Sequence, residues 1–504
     1  MKGVPRDAAE RLVASASLAN LAFVRSWMVF EPSRWWAYSG VRSPGFTDLA
    51  ALTLDIGLLG LGLYSLGRLS AASRPARAVA ELVLVVLALM IINDVRILLQ
   101  VHIYIPGGGL TIGNEARSIM LGIVALVTVL CVVRLSSRIA WLVTRGAMIL
   151  SPLLILSFAR ASWAVMRPQA PLAGGSISKT APTSPRVFVY VFDELDVSHG
   201  TDYLRQTPGS AIGGLLESSA SASAAFSPGL NTRESMASFI IGRPVFRAVE
   251  TDRGGLRIRE TAAGPVSTLS ASRTVFELMK QSGLRVGLVG WYLPYCRLRL
   301  AESLSRCATF TLLPDQLSAG SFVATMGAFI ANRSFASRTL QAVSPIPQRA
   351  HHRRLVSAYA DSALAFAADT TLDVVVFHVP VPHAPWIQPH SGEGLSGYQA
   401  NVLRADSLLG ATIRAAETAD ASERPAIILT ADHTWREAGR AGSVVDPRVP
   451  LLIRFNSTAA GSVHTDTVVT TTLLRLAHAM AIGEIVSADA AIQTMKRSPS
   501  TPRD

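Results

Sequence analysis

The hydrophobic pattern of the chain changes about a third of the way along its length. Long apolar stretches separated by short polar segments come first, at about 13–30, 47–67, 79–100, 117–134 and 147–166. A helix that crosses a bilayer needs about 20 mostly apolar residues, so each stretch is long enough to span a membrane. The pattern therefore predicts a domain of five transmembrane helices over residues 1–166.

The loops between these stretches indicate how the chain is oriented. Basic residues are concentrated at the N-terminus and in the second and fourth loops, whereas the first and third loops contain fewer. The positive-inside rule places such loops in the cytoplasm. We expect a cytoplasmic N-terminus in a bacterial-type plasma membrane, with everything beyond residue 166 on the periplasmic or extracellular side. The first stretch lacks a small-residue cleavage site, which favours a retained helix.

The second part of the chain has the pattern of an α/β domain. Residues 167–185 are rich in Pro, Gly and Ser and are interpreted as a linker. Short apolar runs follow at Val187–Phe192, Arg285–Val289, Asp373–Val379, Ala426–Thr430 and Val449–Phe455. Helical patterns lie between or after them at 274–282, 396–418 and 466–481. Continuous apolar strands alternating with helices favour a mainly parallel sheet covered on both faces.

These patterns give the expected domain organisation. The α/β domain is predicted over 186–490, and residues 491–504 are predicted to be a disordered tail. Composition agrees with a membrane part joined to an α/β part. Only 16% of the 504 residues are charged, whereas soluble proteins have about 25%. The net charge is +12, but no segment interleaves basic and aromatic residues as nucleic-acid-binding surfaces do. Nucleic acid is therefore not expected as a partner, and the sequence leaves the oligomeric state open.

Acidic and imidazole side chains lie at or after the ends of three predicted strands. They are Asp193, Glu194, His378, His383, Asp432 and His433. In an open α/β sheet, ligands bind beyond the carboxyl ends of the strands. Carboxylate and imidazole groups gathered at such an edge predict a divalent metal site.

Thr232 is a candidate nucleophile. It lies in the segment FSPGLNTRESMASFIIGRP, directly before an amphipathic stretch, Glu234–Ile241, that is predicted to be helical. A hydroxyl at a helix N-terminus lies among free backbone N–H groups, which favour an alkoxide or a bound anion. The alternative is that Thr232 simply caps the helix. A metal ion beside it would favour the catalytic role, because coordination can deprotonate a hydroxyl.

Two cysteines lie in the part of the chain that is expected to be outside the cell. Cys296 and Cys307 are close in sequence, and disulfides persist in that compartment. We predict a disulfide between them, with two free thiols as the alternative. Cys131 lies within an apolar stretch and is interpreted as a buried small residue.

Four motifs together resemble the sulfatase-like branch of the alkaline phosphatase superfamily. FDELD, NTRESMASFIIGRP, HVPVPHAP and TADH occur in the order typical of that branch, over about 186–480. The resemblance implies one or two divalent ions, Zn²⁺, Mn²⁺ or Mg²⁺, with Thr232 as the nucleophile. The implied ligands are Asp193, Asp432, His433 and Thr232, with Glu194 as a weaker candidate. The implied contacts to the transferred group are His378, His383, Asn231 and Arg233.

The nucleophile segment departs from that of true sulfatases. It has neither the Cys or Ser nor the following Pro and Arg of a sulfatase motif. A Thr at this position resembles membrane-bound phosphoethanolamine and phosphoglycerol transferases, which also tend to have about five spans. That resemblance implies transfer of a phospho-headgroup from a membrane phospholipid to a glycan or lipid acceptor through a phosphothreonine intermediate.

Two other functions remain open. The same site can belong to a hydrolase, either a phosphodiesterase or phosphatase, or less favourably a sulfatase. A protein of another class, a catalytically inactive membrane-anchored binding protein, is the second alternative. Loss of function on changing Thr232 or Asp432 separates an enzyme from a binding protein.

Overall fold

The computed structural model describes most of the chain in two compact units. The described residues are 6–24, 26–30, 44–70, 73–98, 138, 141–166, 185–250, 256–293, 295–310, 321–331, 346–387, 395–421, 424–439, 442–455 and 461–496. The first unit consists of helices, and the second is an α/β unit that contains both sheets.

The first unit contains two or three helices that are apolar enough to span a membrane. Its helices are Arg6–Ala22, Phe46–Leu69, Arg74–Leu98, Trp141–Ile149, Pro152–Met166 and Phe322–Ala331. Phe46–Leu69 and the segment Arg74–Ile92 each suffice alone. Trp141–Ile149 and Pro152–Met166 form a third span if the pair, bent by 46°, is one span. Pro152 has no N–H with which to continue the preceding helix, which accounts for the break.

Five spans remain a prediction. The first predicted stretch forms a helix of 17 residues followed by the short 3-10 helix Ser26–Phe30. The stretch at 117–134 and almost all of the linker at 167–185 lie outside the described residues. The apolar helix Phe322–Ala331, which was not predicted, contacts the helix Phe46–Leu69 within the first unit. At ten residues it is too short to be recognised as a span from sequence.

A mainly parallel sheet forms the centre of the second unit, as predicted. The strands of the unit are β1 (Val187–Phe192), β2 (Ala220–Phe226), β3 (Arg247–Glu250), β4 (Leu256–Arg259), β5 (Val266–Thr268), β6 (Val286–Trp291), β7 (Arg306–Phe310), β8 (Val374–Val379), β9 (Ala426–Ala431), β10 (Leu451–Arg454) and β11 (Val463–Val469). Eight of them form one sheet in the order β11-β2-β10-β9-β1-β8-β6-β7, in which only β10 runs antiparallel. Strands β3–β5 form a small antiparallel sheet.

Every residue of β1, β6, β8 and β9 is buried. Helices that accompany the sheet are Asp202–Arg205, Ala211–Ser218, Thr232–Ile241, Val275–Gln281, Ile346–Ala367, Leu395–Ala419, Leu473–Ala481 and Ala488–Lys496. Tyr190 of β1 stacks on Phe377 of β8 with ring centroids 4.8 Å apart, and its hydroxyl lies 2.9 Å from Thr412 Oγ1 on the helix Leu395–Ala419. The continuous apolar runs are explained by burial on both faces of the sheet.

Two predictions near the C-terminus are wrong. Residues 466–481 are not one helix, because β11 occupies Val463–Val469 and the helix begins at Leu473. The β-branched residues of VHTDTVV favour a strand at the sheet edge. The tail does not begin at 491, because residues 491–496 end the helix Ala488–Lys496 and bury Ile492 and Met495. Strand β2 was missed because its sequence, ASASAAF, is made almost entirely of small residues.

Asp406 fixes one of the short helices to the long helix Leu395–Ala419. Its carboxylate accepts hydrogen bonds from Ser210 Oγ at 2.9 Å and from the N–H groups of Ala211 at 3.1 Å and Ile212 at 2.7 Å. These bonds satisfy donors at the first turn of a helix, which have no partner within the helix itself.

We predict that Asp406→Ala destabilises the α/β unit by about 1–3 kcal/mol, because buried N–H donors lose their acceptor. The matched control is Ser407→Ala, which changes an exposed neighbour on the same helix and should stay within about 0.5 kcal/mol. Thermal unfolding of the full chain, followed by tryptophan fluorescence, measures both variants. Equal Tm values for the two variants would contradict this role of Asp406.

Candidate active site

Strand register places two acidic side chains next to each other. Phe192 at the end of β1 pairs with Val379 of β8 on one side and with Ala431 of β9 on the other. Asp193 is the residue after β1, and Asp432 is the residue after β9; the N–H of Asp432 donates to Phe192 O at 3.1 Å. The parallel arrangement therefore brings both carboxylates to one edge of the sheet.

His433 completes a group of three side chains that can hold a metal ion. The ligand atoms of Asp193, Asp432 and His433 all lie within 4.8 Å of one another, and all three residues are buried. His433 Nε2 is 3.5 Å from Asp193 Oδ1 and 3.5 Å from Asp432 Oδ2. Both carboxylate oxygens of Asp193 and Oδ2 of Asp432 have no hydrogen-bond partner. Buried, unpartnered carboxylates are costly, so the donor set fits a divalent cation.

The electrostatics of the pair agree with this interpretation. Burial raises the pKa of Asp193 well above its usual range, and the charges of Asp432 and Glu194 raise it further. Burial also disfavours the charged form of Asp432, but His433 and His378 outweigh that effect and lower its pKa to about 2. A divalent cation held by these residues would oppose that shift, because it favours the charged form of the Asp193 carboxyl.

Thr232 lies beside this group, at the first residue of the helix Thr232–Ile241. Its Oγ1 is 3.3 Å from His433 Nε2, and the residue is only 5% exposed. The N-cap residue is Asn231, whose side chain makes no capping hydrogen bond. Thr232 is the first residue within the helix and is therefore not its N-cap. The preceding turn needs Gly229, because a Cβ there would lie 2.8 Å from Ser235 Oγ.

A cavity of about 300 Å³ opens onto Thr232 and Asp193. Its walls are formed by Asp193, Asn231, Thr232, Arg233, Glu234, Tyr292, His383 and Arg436. Five of the residues predicted from sequence therefore share one cavity, and two arginines add positive charge to its walls. Such a cavity can receive a group with anionic oxygens next to a hydroxyl.

His383 faces this cavity on a loop that is fixed to the strand ends. Its N–H donates to Asp193 O at 3.1 Å, and its Nδ1 bonds to the carbonyl of Ala384. Nε2 therefore accepts a hydrogen bond from Arg436 Nη2 at 3.0 Å. Because Nδ1 carries the proton given to Ala384, Nε2 is the atom available for exchange with a substrate.

His378 occupies a different position. It is fully buried in β8, does not line the cavity, and places Nε2 3.9 Å from Asp432 Oδ2. Its Nδ1 is 2.8 Å from the hydroxyl of Tyr295, the residue before the Cys296–Cys307 disulfide. His378 therefore lies next to Asp432 without lining the cavity, and its Nε2 makes no hydrogen bond with a described residue.

Glu194 pairs with an arginine in the structure. Its Oε1 accepts from Arg436 Nε at 2.7 Å, and it is not one of the three grouped ligands. The residue has a φ of 69°, a left-handed backbone conformation that is uncommon outside glycine. The hydroxyl of Tyr398 holds this turn by donating to Glu194 O at 2.7 Å. A role for Glu194 as a metal ligand stays a prediction.

Sequence reasoning missed Arg436 and Tyr292. Arg436 follows Asp432 by four residues and contacts both Glu194 and His383. Tyr292 directly follows β6, has a φ of 67°, and lies 6.0 Å beneath the guanidinium of Arg233. Both follow strand ends, so the rule that selected the other candidates would have found them had it been applied to every residue type.

Several solved structures are similar in part to this chain, each with a TM-score below 0.5. No protein-family model and no curated protein matches the sequence. Ps i-CgsB in complex with k-i-k-neocarrahexaose is 14% identical, over 62% of this chain and 74% of that one, with a TM-score of 0.43. The PsFucS1 sulfatase from Pseudoalteromonas sp. is 14% identical over 60% and 69%, with a TM-score of 0.38. A protein in the alkaline phosphatase superfamily from Vibrio parahaemolyticus is 13% identical over 62% and 72%, with a TM-score of 0.35.

We predict that Mn²⁺ or Zn²⁺ raises the Tm of the purified protein and that Asp432→Asn abolishes the rise, because a ligand bound only by the folded state stabilises it. Glu437→Gln is the control, since Glu437 is an exposed acid in the same loop. Metal content by plasma emission spectroscopy gives a second measurement. A wild-type protein that neither binds metal nor shifts in Tm would exclude this site.

Proposed function

We propose that the protein is a membrane-anchored, metal-dependent enzyme of the alkaline phosphatase superfamily that transfers a phospho-headgroup by means of Thr232. The observation that carries the proposal is the Thr232 hydroxyl, 3.3 Å from His433 Nε2 at the mouth of the Asp193, Asp432 and His433 group. A candidate nucleophile, a candidate metal centre and two arginines in the cavity wall support it together. Such a set supports attack on an anionic ester.

In the first step Thr232 Oγ1 attacks the phosphorus of a phospholipid headgroup. The Oγ1–P bond forms while the bond from phosphorus to the lipid alcohol breaks, so the phosphate and its headgroup alcohol are left together on Thr232. Asp193, Asp432 and His433 would hold a divalent cation that would lower the pKa of the Thr232 hydroxyl, and the hydroxyl proton passes to water. His383 Nε2 relays a proton to the departing alcohol once the substrate phosphate has replaced it as the partner of Arg436.

The surrounding side chains stabilise the charge that develops. Arg436 and Arg233 lie in the cavity wall and present guanidinium donors to phosphate oxygens. The first turn of the helix Thr232–Ile241 adds backbone N–H groups and the positive end of the helix dipole. In the second step an acceptor hydroxyl attacks the same phosphorus, and Thr232 is released.

The membrane setting favours a lipid donor. Two or three helices of the first unit are apolar enough to span a bilayer. We propose a periplasmic or extracellular catalytic domain, a phospholipid donor, and a glycan or lipid acceptor. A hydrolase that uses water in the second step is the alternative with the same residues. Sulfatase activity is disfavoured, because the segment Asn231–Ala237 lacks the sulfatase motif.

We predict that Thr232→Ala lowers turnover of a phosphodiester by at least about 10⁴-fold, as loss of a nucleophile does, while the metal-induced rise in Tm remains. Ser235→Ala is the matched control, because Ser235 is the next hydroxyl on the same helix. Mass spectrometry of acid-quenched enzyme should find phosphoethanolamine or phosphoglycerol esterified to Thr232. Full activity in Thr232→Ala would leave only a binding function or another nucleophile.

The fate of a labelled donor separates transfer from hydrolysis. With phosphatidylethanolamine or phosphatidylglycerol labelled in the headgroup, we expect diacylglycerol and label on a second, larger molecule in membrane extracts. Free phosphoethanolamine or phosphoglycerol as the sole labelled product would establish the hydrolase. Thin-layer chromatography with the Thr232→Ala protein as blank measures both outcomes.

A further inference from the structure

A second cavity lies beside the loop that carries His383. Its volume is about 640 Å³, within the range of small-molecule sites. Three arginines line it, Arg353 and Arg354 from the helix Ile346–Ala367 and Arg404 from the helix Leu395–Ala419. We call it the arginine cavity.

Among the described residues, no acidic side chain compensates the charge of the arginine cavity. All three arginines are exposed, and none has a hydrogen bond or ion pair with another residue that the structure describes. No acidic side chain is among the described residues of the cavity wall. Clustered guanidinium groups repel one another, and phosphate is the group that they bind best, through paired N–H donors.

The remaining wall is mostly apolar, with Val356, Ile387 and Ala400 beside the arginines and Ser357 as a polar member. A cavity of this composition suits an organic molecule that carries a phosphate better than it suits a free ion. Amphipathic walls of this kind hold a carbon skeleton while a few charged groups fix its orientation.

The arginine cavity is coupled structurally to the active site. Ile387 lies four residues after His383, and four residues span at most about 14 Å. Asn401, which is next to Ala400, accepts from Ile387 N–H at 3.0 Å and donates to His383 O at 3.0 Å. One side chain therefore fixes both the cavity wall and the loop that faces the active site.

We propose that the arginine cavity binds a phosphate group of the molecule on which the active site acts, at a position other than the reacting phosphodiester. This proposal rests on the function proposed above and assigns its substrate class, a compound with at least two anionic groups. Either a phosphorylated lipid or a soluble phosphorylated sugar supplies the same chemistry.

Binding to the full-length protein in neutral detergent tests the proposal. The probes are fructose 1,6-bisphosphate for the soluble source and micelles with phosphatidic acid, against phosphatidylcholine, for the lipid source. We expect Arg353→Gln/Arg354→Gln/Arg404→Gln to weaken binding of one probe at least tenfold. The control removes the same charge from Arg205, Arg257 and Arg414, which are exposed elsewhere on this unit, and should change binding less than twofold.

The outcomes are distinct. Loss confined to phosphatidic acid assigns a lipid, and loss confined to the bisphosphate assigns a soluble sugar. Unchanged binding of both probes, or equal loss in the control, overturns the proposal. A metal-induced rise in Tm verifies folding, and the single variant Arg404→Gln replaces a triple variant that does not fold. Turnover of bis(4-nitrophenyl) phosphate by wild-type protein is measured separately, so its absence counts against the proposed function and not against the binding site.

Discussion

Two buried carboxylates held side by side at the end of a parallel sheet are the constraint on which the active site depends. Asp193 and Asp432 follow neighbouring strands. Three of their four carboxylate oxygens have no hydrogen-bond partner among the described residues. Burial and mutual repulsion make this arrangement unfavourable without a cation. A fold that retains it must hold it rigidly, and the fully buried strands β1, β8 and β9 provide that rigidity.

Two groups of side chains surround the carboxylates, one around His378 and the other around Arg436. His378 lies behind Asp432 and is oriented by Tyr295, next to the Cys296–Cys307 disulfide. In front, Arg436 joins Glu194 to His383 and so links the exits of three strands. The cavity is lined by the arginines Arg233 and Arg436 and by the acids Asp193 and Glu234, so charges of both signs face it.

The helical unit and the α/β unit have different physical requirements. Helices in the first unit expose large apolar side chains such as Leu58, Ile92 and Ile155, which suits lipid contact. In the second unit, aromatic and branched residues are buried between sheet and helices. The phosphodiester of the phospholipid donor proposed above is anionic, which suits the arginines that line both cavities of the second unit.

The sequence by itself determined the two-part organisation, the central strands and the acids and imidazoles at their ends, because these depend on local hydrophobic pattern and on the rule that strand ends carry function. It also selected Thr232 from its place before a helix. Only the tertiary structure decided that His383 lines the cavity while His378 lies behind it, and that Arg436 joins Glu194. Those outcomes depend on register and on contacts between residues up to 242 positions apart, which no local pattern contains.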